Sequence, residues 1–202
     1  MSVVRIGKLE KKLDRLKLRD GVTCKQFEDV VLELLFLYKE QKEWLKLREL
    51  ADLSLRFYKS IGLDENTDYR SGIFPVYGLM FGIALYRTGD KLYWERFISD
   101  AVRCSVNLYF EALYELGVIY EEEGRVDESC KAIIRLMSVM RTEYSRELNV
   151  WSNTNDLYSE EVVMKRAIDF GMLHFGNGNY IMEKYLEEAE KYRLKNGIVQ
   201  QN

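Results

Sequence analysis

Residues 113–136 read LYELGVIYEEEGRVDESCKAIIRL, and the order of large, small and turn-forming residues in this stretch decides how the chain folds. Leu113, Leu116, Gly117 and Tyr120 recur at three- and four-residue steps and so share one face of a helix. Gly124 follows where a helix can end on a residue of positive φ. Asp127 and Glu128 then put negative charge into the first turn of a second helix, where the helix dipole favours it, and Ser129, Ile133 and Leu136 form the stripe that faces back. Gly117 carries no side chain into the space between the two helices, which predicts that they approach closely there.

The same order recurs outward from this stretch. Thirty-five residues earlier stand Phe81, Gly82, Leu85, the turn residue Gly89, and then Ile98 and Ala101, with Gly78 in place of a large residue and Trp94 in place of a small one. Fifty-four residues later come Gly171 and the turn residue Gly178, with Ala167, Phe170 and His174 before the turn and Tyr185 and Ala189 beyond it. Near the start, Val31, Leu34, Leu35 and Tyr38 precede Lys42 at the turn position, and Ala51 and Ser54 follow. The pattern resembles the tetratricopeptide (TPR) repeat over about residues 28–192. That resemblance implies an all-α fold, an α-solenoid of about four antiparallel helical hairpins with an extra N-terminal helix. An irregular helical bundle is the competing reading of the same periodicity.

Composition agrees with long helices. The 202-residue chain holds a single proline, Pro75, placed to suit the first turn of a helix. Thr23 with Gln26 has the form of a capping box for a helix starting near Cys24. Residues 1–21 form a basic amphipathic helix of their own, with Ile6, Leu9, Leu13 and Leu16 as a narrow apolar stripe. Residues 22–202 form the repeat domain, interrupted by loops near 61–74 and 145–158. The longest uncharged stretch, Gly72 to Tyr86, is shorter than the ~20 apolar residues a membrane span needs, and no signal-type stretch opens the chain. A cytoplasmic location is expected, with the nucleus as the alternative.

The residues that carry chemistry are sparse. Cys24, Cys104 and Cys130 are widely spaced and odd in number, which fits reduced thiols better than disulfides or a zinc site. His174 is the only histidine, so any histidine-dependent mechanism must use it, and its place on an inward stripe favours a packed side chain. Neither catalytic residues nor a metal, a cofactor or a small-molecule substrate is expected.

By the resemblance, the first helices of successive hairpins line a concave groove that holds a partner's peptide or helix, making the chain a non-catalytic adaptor or scaffold. The groove would be lined by Asp29, Leu32, Glu33, Phe36 and Lys39, then by Val76, Leu79, Met80, Ile83, Tyr86 and Arg87, then by Glu111, Tyr114, Glu115, Val118, Glu121 and Glu122. The glutamates of the third set predict a basic segment in the partner. A structural subunit of a larger assembly is the alternative. The first 21 residues carry seven Lys/Arg against three Asp/Glu in a chain of net charge -3, so the rest is acidic, the opposite of a bulk nucleic-acid binder. The N-terminal face of Lys8, Lys11, Lys12, Arg15 and Arg19 can cap the repeats, lie on a membrane or contact nucleic acid. The cap is favoured, because the face has no aromatic residue for base stacking or membrane anchoring.

Overall fold

The computed structural model describes residues 2–17, 24–60, 73–104, 109–140 and 160–195. Among them are nine helices and no strand: α1 (Ser2–Lys17), α2 (Cys24–Glu40), α3 (Trp44–Ser60), α4 (Ile73–Arg87), α5 (Trp94–Cys104), α6 (Tyr109–Glu122), α7 (Val126–Met140), α8 (Glu160–Phe175) and α9 (Tyr180–Lys195). Pro75 is the third residue of α4, so the helix begins two residues inside the expected 61–74 loop; proline is tolerated there because the first turn has no intrahelical use for its missing N–H. The rest of that loop, the 145–158 loop, Thr23 and Arg19 lie outside the described residues. No helix among the described residues is long and apolar enough to cross a membrane.

Four short turns join α2 to α3, α4 to α5, α6 to α7 and α8 to α9, and each contains one left-handed residue: Lys42 (φ 58°), Gly89 (85°), Gly124 (72°) and Gly176 (65°). The first three close identically, by Glu43 N–H donating to the Tyr38 carbonyl (2.8 Å), Asp90 to Leu85 (2.9 Å) and Arg125 to Tyr120 (2.8 Å). These bonds satisfy carbonyls that the helix end would otherwise leave open. In the fourth turn the left-handed residue is Gly176 and not the expected Gly178. Asn177 N–H reaches back to the Gly171 carbonyl (3.2 Å), and the Asn177 side-chain oxygen accepts the Asn179 N–H (2.9 Å), so the asparagine shapes this turn. Lys42 alone among the four pays a Cβ penalty for its conformation. Lys42→Gly is therefore expected to stabilise the fold by about 1 kcal/mol, the lower end of the left-handed cost for a residue with a Cβ, read as a higher midpoint in urea unfolding with an unchanged slope.

The chain forms two compact units, Met1–Ser105 and Val106–Asn202. In the first, α1 packs on α2, α2 on α3, α3 on α4 and α4 on α5. Ile6 and Leu13 of α1 are buried, as are Val30, Val31, Leu34 and Leu35 of α2, so the apolar stripe of the N-terminal helix is spent on the body of this unit. Polar contacts fix the pair: Tyr38 donates to Glu10 (2.8 Å), Lys46 reaches the same carboxylate (3.2 Å), and Arg5 pairs with Glu33. The hydrogen bond from Tyr38 holds the Glu10 carboxyl below its usual pKa, with Lys46 acting in the same direction. Aromatic rings run from α2 through α3 to α4, with Phe27 4.5 Å from Phe57 and Tyr58 5.4 Å from Tyr77. Tyr58 also donates its hydroxyl to Glu28. Arg48 of α3 bonds Asp90 (2.9 Å) and Thr88 (3.1 Å), tying α3 to the turn after α4.

Helix α4 is apolar on every side, and residues 75–80 are all buried. A helix of this composition belongs inside a core. Leu79, Met80 and Ile83, expected to line a groove, are 0, 0 and 1% exposed, and no ligand reaches them. At Gly82 helices α4 and α5 approach closely: a Cβ built there would lie 2.8 Å from Ile98 Cγ1 and 2.9 Å from the Trp94 carbonyl oxygen.

In the second unit α6 packs on α7, and α7 touches both α8 and α9, which also pack on each other. The α6–α7 crossing has Gly117 on one side and Ser129 on the other, and the buried Ser129 hydroxyl donates to the Gly117 carbonyl at 2.7 Å. A Cβ at Gly117 would meet Ile133 at 3.6 Å and Ala132 at 3.7 Å, ordinary contact distances, so this approach is looser than the one at Gly82. Val163, Ala167, Phe170 and Ile181 complete the core between α8 and α9.

Candidate functional site

The side chains of α6 and α8 meet around a single carboxylate. Positions 114 and 121 are seven residues apart on α6 and positions 166 and 174 are eight apart on α8, two turns in each case, so each pair returns to one helix face. Arg166 Nη2 donates to Glu121 Oε2 at 3.0 Å, and His174 Nε2 lies 3.1 Å from Glu121 Oε1. The side chains of Glu121 and Arg166 are only 22 and 16% exposed, so this pair is better shielded from solvent and salt than a surface pair. The Arg166 guanidinium also lies 5.3 Å from the centre of the Tyr114 ring, and the His174 ring packs 4.5 Å from Phe170. Arg166 Nε is buried and has no hydrogen-bond partner.

These groups border a cleft of about 290 Å³ lined by Tyr114, Glu121, Val162, Lys165, Arg166, Asp169, Phe170 and Leu173. Its charges cancel locally, because Arg166 faces Glu121 and Lys165 pairs with Asp169 at 2.5 Å. What the lining offers a ligand is the Tyr114 and Phe170 rings and the exposed Leu173.

Of the residues expected to line a groove, the structure brings Tyr114 and Glu121 into this cleft. Glu111 and Val118 are half-buried and Glu122 is exposed on the same helix. Glu115, by contrast, is buried at 8% exposure, because it lies on the side of α6 that carries Ala112, Leu116 and Ile119 into the core. Leu32, Phe36, Tyr86 and Arg87 are half-buried in the first unit; Arg87 sits 5.9 Å from the Trp44 ring and 5.3 Å from the Tyr86 ring. Arg166 had no sequence signal beyond lying four residues before Phe170 on the inward face of α8. His174 is packed against Phe170, as its place on that stripe predicted, yet it also completes the bridge to Glu121.

Comparison with protein families, with curated proteins and with solved structures gives no match. The site must therefore be read from its own chemistry. Cys130 is half-buried, and burial pushes its thiol pKa up, with Asp127 adding to the effect, so it is held in the unreactive protonated form. Among the described residues no three His, Cys, Asp or Glu side chains gather as metal ligands would. On α1, Lys8, Lys11, Lys12 and Arg15 are all exposed.

Proposed function

We propose that the chain is a TPR-like helical-repeat protein that binds another protein, and that the cleft between α6 and α8 is one of its contact surfaces. The observation that carries this reading is Arg166, which crosses from the first helix of one hairpin to Glu121 and Tyr114 on the first helix of the hairpin before it. In a solenoid of hairpins, successive first helices form the concave face used for recognition. Three of the four turns place the left-handed residue two positions past the first helix and close with the same backbone bond, which supports the repeat reading, as does the packing of α3 on α4 within the first unit and of α7 on α8 within the second.

The chemistry of the cleft specifies the ligand. Glu121 is already neutralised by Arg166 and flanked by His174, so the site does not need a basic segment to relieve its charge. An apolar or aromatic side chain can enter between Tyr114, Phe170 and Leu173. Leu173 is 73% exposed, so Leu173→Asp leaves the core intact and places an unpaired charge in the mouth of the cleft. Capture of bound proteins from the native source should recover a set with the wild type that is lost with Leu173→Asp. Recovery of the same set with both would exclude the cleft as the contact.

The alternative, a subunit of a larger assembly, has its own support in the exposed apolar side chains Ile168 and Met172 of α8 and Leu186, Tyr192 and Leu194 of α9. Sedimentation of the purified chain distinguishes the two: a stable monomer counts against an obligate subunit.

A further inference from the structure

The outward face of α1 is built differently from the other exposed helix faces. Lys8, Lys11, Lys12 and Arg15 stand at i, i+3, i+4 and i+7, which puts four cations on one stripe about two turns long, opposite the buried Ile6 and Leu13. Among the described residues none of the four makes a hydrogen bond or an ion pair, whereas Arg5, toward the buried edge of the helix, pairs with Glu33. Gly7 lies beside this stripe in mid-helix, at a cost of about 1 kcal/mol relative to alanine. Among the described residues no atom comes within 4 Å of the position its Cβ would occupy, so none of them requires a glycine there. Val4, one turn earlier on the same face, is 67% exposed.

We infer that this face docks an acidic helical segment of a partner protein. Four like charges held close together by a helix that is anchored on α2 repel one another, and carboxylates spaced at i, i+3, i+4 and i+7 on a crossing helix relieve that repulsion. The bare backbone at Gly7 lets a second helix come close, as small residues do at helix crossings, and Val4 gives it an apolar contact. Neither of those features serves a phosphate backbone, and the stripe has no aromatic side chain on which bases could stack. A membrane helix would need a free apolar face, and on α1 Ile6 and Leu13 are buried and Leu9 and Leu16 half-buried. The surface uses none of the residues of the α6–α8 cleft.

The test uses the full chain and a short labelled helical peptide with glutamates at i, i+3, i+4 and i+7 and a leucine beside them. The arms for comparison are the same peptide with glutamines, a short duplex RNA, and phosphatidylserine–phosphatidylcholine vesicles. The glutamate peptide should bind in preference to all three. Its affinity should fall by about tenfold or more when Lys8, Lys11 and Arg15 are replaced by Glu, from the summed loss of exposed ion pairs. It should also fall several-fold in Gly7→Leu, whose melting temperature stays at or above that of the wild type, while Leu173→Asp binds the peptide as the wild type does. Absence of peptide binding, tighter binding of RNA or vesicles, insensitivity to the charge reversal or to Gly7→Leu, or loss of binding in Leu173→Asp would each overturn the inference.

Discussion

Gly82→Val is expected to destabilise the first unit by about 3 kcal/mol, the upper part of the usual range for overpacking a core. The reason is geometric. The first atom of any side chain at this position would sit 2.8 Å from Ile98 Cγ1, 2.9 Å from the Trp94 carbonyl oxygen and 3.0 Å from Phe97 Cβ. Ile98 can shift a methylene, but the carbonyl belongs to the backbone of α5, so the helix itself must move away. In a chain of this size the loss corresponds to roughly 6–12 °C in melting temperature, readable by circular dichroism. Gly117→Ala is the matched control, since its Cβ has ordinary contacts at 3.6 and 3.7 Å. It should be neutral or gain a few tenths of a kcal/mol from the better helix propensity of alanine. Equal effects at the two positions would show that the two crossings are not packed as described.

Gly171→Ala has the second large effect. Its Cβ would fall on the Asn177 carbonyl oxygen, too close for any side-chain adjustment to relieve, with the Asn177 and Gly178 carbonyl carbons at 3.5 Å. The turn between α8 and α9 would have to open and lose the Asn177 N–H bond to the Gly171 carbonyl. A loss of about 2–3 kcal/mol is expected, combining overpacking with a broken turn. Because α8 carries Arg166 and His174, the variant should also loosen their contact with Glu121. Hydrogen exchange in α8 and α9 should rise while exchange in α4 and α5 stays unchanged. A uniform rise across both units would mean that this turn does not act locally.

These two glycines show what could be read from the sequence and what could not. The helices, the turn at Gly124, the burial of Ile6 and Leu13 and the packed His174 all follow from periodicity and turn chemistry, which are local properties. A close helix approach was expected at Gly117, and the structure shows a closer one at Gly82, because closeness depends on both sides of a crossing. Opposite Gly117 stand Ser129 and Ala132, both small, with Ile133 no nearer than 3.6 Å, so the need for space is shared. Opposite Gly82 stand Trp94 and Ile98, and the glycine alone must supply the room. The substitution of Trp94 for a small residue was visible in the sequence, and it is the signal that could have located the contact. The groove was legible in part for a similar reason. Tyr114 and Glu121 do reach a cleft, while Leu79, Met80 and Ile83 are enclosed because α4, unlike α6, has no polar side to turn toward solvent. Arg166 was missed because a lone arginine on a helix gives no sign of which carboxylate it will reach across the fold.

Because each helix of the first unit packs chiefly on its neighbours in the chain, nearly all of its order can be assembled without bringing distant segments together. Little loop-closure entropy stands between the unfolded chain and a first native hairpin, and topologies of this kind fold in microseconds to milliseconds. The same arrangement lets the unit come apart in stages. Helix α1 rests on α2 and can detach without disturbing α4, whereas opening at α4 breaks the packing of α3 and α5 together. Resistance to opening should therefore rise from the ends of this unit toward its all-apolar helix, so that the exposed cations of α1 belong to the part of the unit that can most easily yield to a partner.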